Sequence, residues 1–137
     1  MDLIEEILTR SKTIAIVGLS PKFYKPSHVV AKYLKGHGYQ IIPVNPNIKT
    51  VLGETSYPDL MAIPERLDLA DIFRRSDKVL PTVKQAITVG ARYIWMQDGV
   101  VNEKAARLAH DKGIPVVMDN CTFREYAFCF GPQVPSV

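Results

Sequence analysis

The sequence predicts an α/β domain, a parallel sheet with helices on both faces, and three observations predict it. Short apolar runs, of which Thr13-Ile14-Ala15-Ile16-Val17 is the first, read as buried strands. Stretches with apolar residues at helical spacing separate them, so strand and helix alternate along the chain. Glycines stand at the junctions, at Gly18, Gly36, Gly38, Gly90 and Gly113. A chain of 137 residues with 47% hydrophobic composition has the material for a proper core and fits one domain, residues 1–137.

Leu3, Ile4, Ile7 and Leu8 recur at helical spacing and predict an amphipathic helix over the opening residues. The strand Ile14 to Val17 follows and stops at Gly18. Ser27 is the expected N-cap of a second helix whose apolar stripe is Val29, Val30, Tyr33 and Leu34, with Gly36 and Gly38 as its stop. Gln40-Ile41-Ile42-Pro43-Val44 is a second short strand, its proline suited to an edge or a strand end. From Asn45 to Pro64 the Asn, Pro, Gly and Thr content predicts a long connection with at most one helical turn near Asp59 to Met61. Connections of that length usually have a function.

Leu67 to Phe73 is the third strand and ends in Arg74-Arg75. Pro81 sits in the first turn of a helix through Val83, Ala86, Ile87 and Val89 that stops at Gly90. Tyr93 to Met96 is the fourth strand, Asn102 caps a helix through Ala105, Ala106, Leu108 and Ala109, and Ile114 to Met118 is the fifth strand. Thr122 to Phe130 reads as an aromatic helix docked on the core, before Gly131 and two late prolines, Pro132 and Pro135, end the ordered structure.

Such alternation builds right-handed βαβ units. The predicted architecture is a Rossmann-like doubly wound sheet of about five parallel strands in the order 3-2-1-4-5, with helices on both faces. Ligands bind such sheets beyond the carboxyl ends of the strands where the order reverses, here around the ends of the first and fourth. That rule selects four loops: Gly18 to Ser27, Asn45 to Lys49, Phe73 to Lys78 and Gln97 to Asn102.

The formal charge of +3, from 17 Lys+Arg against 14 Asp+Glu, is spread without a basic run. With neither a zinc-finger spacing nor an aromatic RNA-reading strand, a nucleic-acid partner is not expected. No apolar stretch approaches the roughly 18 residues that span a bilayer. The N-terminus, Met1-Asp2-Leu3-Ile4-Glu5-Glu6, carries acid where a signal peptide carries base, so a cytoplasmic protein without a membrane partner is expected. Cys121 and Cys129 have neither CxxC spacing nor the density of a disulfide scaffold, and read as buried or idle thiols. Mild basicity suits a small anionic ligand.

Gly18-Leu19-Ser20-Pro21-Lys22 ends a strand just before a helix, which places backbone N–H groups and a positive helix end where an anion can sit. The dinucleotide fingerprint G-x-G-x-x-G asks for a second glycine where this chain has Ser20. A serine adds a hydroxyl donor, and Lys22 and Lys25 can supply charge. A tight turn without any ligand accounts for the same glycine and serine on conformational grounds. At the end of the second strand a nicotinamide site usually places an acid for the ribose hydroxyls. Val44-Asn45-Pro46-Asn47 has none, and with Lys49 nearby it tolerates a phosphorylated ribose, as in NADP or coenzyme A. The plain alternative is that Asn-Pro-Asn only makes the turn.

Phe73 beside Arg74 at a strand end can stack on a planar group and pair with a phosphate, or be a core phenylalanine beside solvated arginines. Trp95 lies inside a strand and belongs to the core, whereas Gln97 and Asp98 just beyond are better placed for function. No nucleophile and base stand out: His28, His37 and His110 lie in or near the ends of helices, and no His or Cys has zinc-ligand spacing. Asp68 and Asp71 share a strand without making a convincing carboxylate pair.

Taken in order, Gly18-Leu19-Ser20-Pro21, Val44-Asn45-Pro46, Val51-Leu52-Gly53-Glu54 and Trp95-Met96-Gln97-Asp98-Gly99-Val100 resemble the stand-alone CoA-binding proteins. Those are similar to the N-terminal CoA-binding domain of the succinyl-CoA synthetase alpha subunit. The resemblance runs from about Ile14 to Cys121. It implies coenzyme A in an extended cleft, with Gly18, Ser20, Lys22 and Ser27 at the phosphates and Asn45, Pro46 and Lys49 at the adenosine end. Phe73, Arg74 and Gln97 are implied as cleft walls. The chain departs from the family at Asn120-Cys121, where a basic residue often precedes the cysteine.

The synthetases that share this domain need a phosphorylated histidine and a nucleotide-grasping domain from other segments. The resemblance therefore implies binding of CoA or an acyl-CoA without self-contained catalysis, alone, as a homo-oligomer or beside a protein partner. Two alternatives stand beside it: an NAD(P)-binding oxidoreductase or redox sensor on the same fold, and a CoA-binding subunit acting in trans with an acyl-CoA synthetase. A mixed disulfide between CoA and Cys121 or Cys129 is a further chemical option.

Overall fold

The computed structural model describes residues 1–131, so Pro132 and Pro135 lie outside the described residues. The elements in chain order are α1 (Leu3–Arg10), β1 (Thr13–Val17), α2 (Pro26–Gly36), β2 (Gln40–Val44), β3 (Thr50–Val51) and β4 (Glu54–Thr55). They continue with β5 (Leu69–Ile72), α3 (Val79–Thr88), β6 (Tyr93–Met96), α4 (Glu103–Asp111), β7 (Val116–Val117) and α5 (Thr122–Phe130). Asp2 and Asn102 cap α1 and α4 by accepting from Glu5 N and Ala105 N.

Five of the strands form one sheet, β2-β1-β5-β6-β7, parallel throughout. The α/β class, the five parallel strands and the helices on both faces are as the sequence predicts. The strand order is not. Counted along the chain, the five sheet strands lie 2-1-3-4-5 rather than 3-2-1-4-5, because β5 pairs with β1 from Ile14↔Leu69 to Val17↔Ile72.

Pro43 explains why β2 is left outside. In a parallel ladder a residue's N–H and C=O face the same neighbour, so a proline is tolerated where that side is the sheet edge. Pro43 O indeed points outward and accepts from Tyr57 N at 3.0 Å, while Asn45 N donates to Tyr57 O at 2.9 Å. The correction moves the point where strand order reverses to the gap between β1 and β5.

Alternation along the strands sorts side chains to two faces. Ala15, Val17, Ala70, Ile72, Ile94 and Met96 pack against Val79, Val83 and Ala86 of α3 and Ala105 and Ala109 of α4. Ile14, Ile16, Leu69, Tyr93 and Trp95 pack against α1, α2 and the aromatic side of α5. Trp95 is fully buried with its Nε1 donating to Asn120 O at 2.9 Å, which supports the core reading. Tyr33 stacks on Phe123 with ring centroids 3.7 Å apart, and Tyr126 meets Tyr33 and His37 edge-on or tilted, fastening α5 to α2.

Smaller corrections concern local chemistry. Ser27 is not an N-cap: α2 begins one residue earlier, with Lys25 as cap and Pro26 in the first turn, where a missing N–H has no helical partner to lose. The connection after β2 holds the one helical turn expected near Asp59 to Met61 and, in addition, a hairpin. A hairpin pairs β3 with β4 through Leu52-Gly53, both at positive φ, and a 3-10 turn follows at Leu60–Ala62. The third and fifth sheet strands are shorter than their apolar runs, at Leu69–Ile72 and Val116–Val117.

Candidate functional site

Where β1 and β5 separate at their carboxyl ends, a cleft of two basins opens. The first holds about 400 Å³ and is walled by Asn45, Pro46, Asp59, Leu60, Lys78 and Gln85, among others. The second holds about 550 Å³ and is walled by Ser20, Lys25, Ser27, Gln97, Val100 and Cys121, among others. Gly18, Phe73, Arg74 and Arg75 line both and form the ridge between them. Each basin falls within the roughly 300–1,000 Å³ typical of small-molecule sites.

Gly18 has φ +86°, and a Cβ there would lie 2.1 Å from Phe73 O. Gly18 N donates to Val44 O at 2.8 Å and Phe73 N to Val17 O at 2.9 Å, so three strand ends converge on this residue. Only glycine fits, whatever the cleft holds. The turn that follows is braced by its own side chains: Ser27 Oγ accepts from Ser20 N at 2.9 Å and Ser20 Oγ from Lys22 N at 3.1 Å. His28 Nδ1 lies 2.9 Å from Ser20 O, which binds the turn to α2.

Asn45 works in the same way at the end of β2. Its Nδ2 donates to Leu19 O at 2.9 Å and its Oδ1 accepts from Asn47 N at 2.9 Å, tying the β2 loop to the β1 loop. The structure thus brings Gly18, Ser20, Ser27, Asn45, Pro46, Phe73, Arg74 and Gln97 to the cleft. Lys22 and Lys49 are exposed and line neither basin.

The charge of the cleft comes from elsewhere. Lys25, Arg74 and Lys78 line it, and none has an acidic partner among the described residues. Arg75 pairs with Asp77 at 3.0 Å, both largely exposed, a contact of small energetic weight. Asp59 is turned to capping, its Oδ1 accepting from Ala62 N at 3.1 Å. Asp98 is held by Arg124, whose Nη1 and Nη2 donate at 2.9 and 2.8 Å, and these bonds lower its pKa. Arg124 Nη2 also donates to Asn120 Oδ1 at 2.9 Å, so a guanidinium occupies the corner beside Asn120-Cys121.

Asp71, set aside on sequence as half of an unconvincing carboxylate pair with Asp68, has a role of its own in the structure. This residue is fully buried in the middle of β5, on the face covered by α5. Gln97 Nε2 donates to Asp71 Oδ1 at 2.6 Å and to Thr122 Oγ1 at 2.8 Å, and Thr122 Oγ1 donates to Asp71 Oδ2 at 2.9 Å. Burial pushes the Asp71 carboxyl up to about 7, against the two hydrogen bonds, which lower it. An acid inside the run Leu69-Ala70-Asp71-Ile72 was the available signal, since a strand covered on both faces gives a carboxylate no route to water. Lys25, named from the sequence as a source of charge, and Cys121, named as a thiol that CoA could reach, line the second basin, and Arg75 and Lys78 line the cleft beyond the residues singled out for the ligand. Among the described residues, no group of three or more His, Cys, Asp or Glu is placed to hold a metal.

The chain resembles known proteins over most of its length. It is 42% identical over 118 residues to the uncharacterized protein YneT of Bacillus subtilis, a match covering 86% of this chain and 87% of that one. It is 26% identical over 126 residues to the ADP-forming acetate–CoA ligase I of Archaeoglobus fulgidus, covering 85% of this chain but 18% of the ligase. A solved structure of a hypothetical protein from Pyrococcus horikoshii OT3 superposes with a TM-score of 0.91 at 40% identity, over 93% of this chain and 90% of the other. The family model of the CoA binding domain matches residues 12–127, from the start of β1 through most of α5 and including both basins. By that match the chain belongs to the CoA binding domain family.

Proposed function

We propose that the cleft binds coenzyme A or an acyl-CoA and that the chain's own residues carry out no reaction on it. One observation carries the reading: two dissimilar basins meet on a ridge whose Arg74 has no acidic partner among the described residues, with Lys78 in one basin and Lys25 in the other. A ligand with two different ends joined by phosphates fits that layout. The adenosine end goes to the first basin beside Asn45 and Pro46, and the diphosphate crosses the ridge at Gly18, Ser20, Ser27, Phe73 and Arg74. The arm then runs into the second basin past Gln97. Lys22 and Lys49, exposed outside the basins, contribute attraction at longer range, weakened by salt.

Membership of the CoA binding domain family supports this ligand over a nicotinamide dinucleotide. So does the end of β2, where Asn45 stands in place of the acid that reads a free ribose. The match to part of an acetate–CoA ligase favours a second reading, in which the chain supplies the CoA site to a synthetase partner; it spans 18% of that ligase. No helix of the described residues is long and apolar enough to cross a membrane.

Titration calorimetry with CoA, acetyl-CoA, NAD, NADP and ATP tests the reading. CoA and acetyl-CoA are expected to bind and NAD to bind far more weakly. Absence of CoA binding at millimolar ligand overturns it, as does a preference for NAD.

A further inference from the structure

The least explained feature of the cleft is the polar cluster beneath the second basin. Asp71, Gln97 and Thr122 come from β5, the loop after β6 and the first residue of α5, and all three are buried. Burying three polar groups is costly unless every donor and acceptor is used. Here the donors are used: both Nε2 protons of Gln97 and the Thr122 hydroxyl are directed inward, at 2.6, 2.8 and 2.9 Å. Gln97 Oε1 has no hydrogen-bond partner among the described residues. Yet the one side-chain polar atom among them that is buried without a partner is Ser11 Oγ. Gln97 Oε1 therefore opens outward, and the cavity that Gln97 lines is the second basin.

The orientation of the amide follows from its neighbours. An amide placed against a carboxyl and a hydroxyl that donates to it must present nitrogen, because two acceptors cannot face each other. Asp71 Oδ1 accepts from the amide in either state of the carboxyl; ionised, Oδ2 accepts from Thr122 Oγ1, and when it carries the proton it donates to Thr122 Oγ1, so only that one bond reverses. Of the other side chains at the second basin, Lys25, Arg74 and Arg75 are cations with no acceptor to offer, Val30, Val100 and Phe73 are apolar, the Ser27 and Ser20 hydroxyls already accept from Ser20 N and Lys22 N, and Asp98 is held by Arg124. An oriented acceptor beside such walls suits an extended chain that carries amide N–H groups. The arm of CoA is such a chain.

Resting on the CoA reading above, we propose that Gln97 Oε1 receives an amide N–H of the ligand's pantetheine arm in the second basin, and that buried Asp71 and Thr122 are the positioning residues that hold that oxygen toward the ligand. Selectivity for an arm-bearing ligand over a bare nucleotide is then set partly below the cleft floor, by residues the ligand never touches.

The test compares CoA with adenosine 3′,5′-bisphosphate, which keeps the nucleotide end and lacks the arm. In Gln97→Met and in Thr122→Val, CoA affinity is expected to fall about tenfold while the bisphosphate changes less than about twofold, the loss of a buried hydrogen bond acting on one ligand only. Thr122→Ser is expected to restore CoA affinity, because it keeps the hydroxyl that orients the amide. In the unmodified protein, the Gln97 side-chain NH₂ resonances are expected to shift on addition of CoA and to stay in place with the bisphosphate. This last measurement decides the matter even if a substitution unfolds the chain.

Equal weakening of both ligands, unchanged CoA affinity in a folded variant, or an unmoved Gln97 resonance at saturating CoA overturns the proposal and leaves the CoA reading intact. Failure of the unmodified protein to bind CoA overturns both.

Discussion

The two basins of the cleft are built from different materials. The first is bounded by turns: Asn45-Pro46-Asn47, Pro58-Asp59 and the start of α3, with backbone and exposed polar groups at its rim. The second has a floor in which Gln97 is braced from below by an acid that never reaches solvent. Turn-built walls can hold a nucleotide by shape and charge without a stored energetic cost. A floor braced by a buried carboxyl carries such a cost, and it varies with pH.

The largest expected effect tests that floor. The Asp71 carboxyl is pushed up to about 7 from an ordinary value of 3.8, so between those limits the folded chain keeps a proton that the unfolded chain has lost. The native state binds more protons in that window, and stability must fall as pH rises through it. The cost is absent below the ordinary value, grows across the window and is complete above the folded one. At about 1.4 kcal/mol per pKa unit, it reaches up to about 4 kcal/mol at alkaline pH. Asp71→Asn should remove this dependence. Urea unfolding of both proteins at pH 5 and pH 8 is expected to show the substituted chain gaining stability relative to the parent at the higher pH. A constant difference between them would mean that the floor is not built on a proton-holding acid.

The next effect strikes the ridge that both basins share. Gly18→Ala must relieve a Cβ 2.1 Å from Phe73 O at φ +86°, and is expected to cost about 3 kcal/mol of stability. Because the displaced loop borders both basins, CoA and adenosine 3′,5′-bisphosphate should weaken together, in contrast to the substitutions at Gln97. Loss of binding for only one of them would separate the ridge from one basin.

The smallest effects sort the cations. Arg74→Ala is expected to weaken CoA about tenfold, as removal of one charged partner of a phosphate does. Lys22→Ala should change it less than about twofold at physiological salt, because Lys22 is exposed outside the basins. Calorimetry in the same buffer ranks the two, and the reverse ranking would shift the phosphates outward along the turn.

The same contrast governs what could be read from the sequence. The first basin and the ridge announce themselves through residues with strong local preferences: Gly18 at a strand end and Asn45-Pro46-Asn47 at a turn. Local chemistry also gave the helix cap Asn102 a recognisable form, although Ser27 misled because Pro26 starts the helix first. The strand order was legible in principle from Pro43, whose absent donor requires an edge, but the more familiar order placed that strand inside.

The second basin depends on pairings with no local signature. Asp71, Gln97 and Thr122 are separated by 26, 25 and 51 positions in their three bonds, and nothing in the neighbourhood of any one announces the others. Lys22 and Lys49 lie beside the turns in sequence, but both are exposed and line neither basin, a placement that sequence proximity does not specify.

Pro43 and Tyr57 have one more effect, on how the protein can associate. A bare strand edge is a template on which another chain can pair, and repeated pairing is a route to aggregates. On the β2 side that edge offers no N–H at Pro43, and Tyr57 occupies the neighbouring position with both of its backbone bonds made. On the far side β7 is two residues long, too short to seed a ladder. The two edges of the main sheet therefore offer little for a second chain to pair with, and the surface that the described residues present around it is chiefly helix and loop.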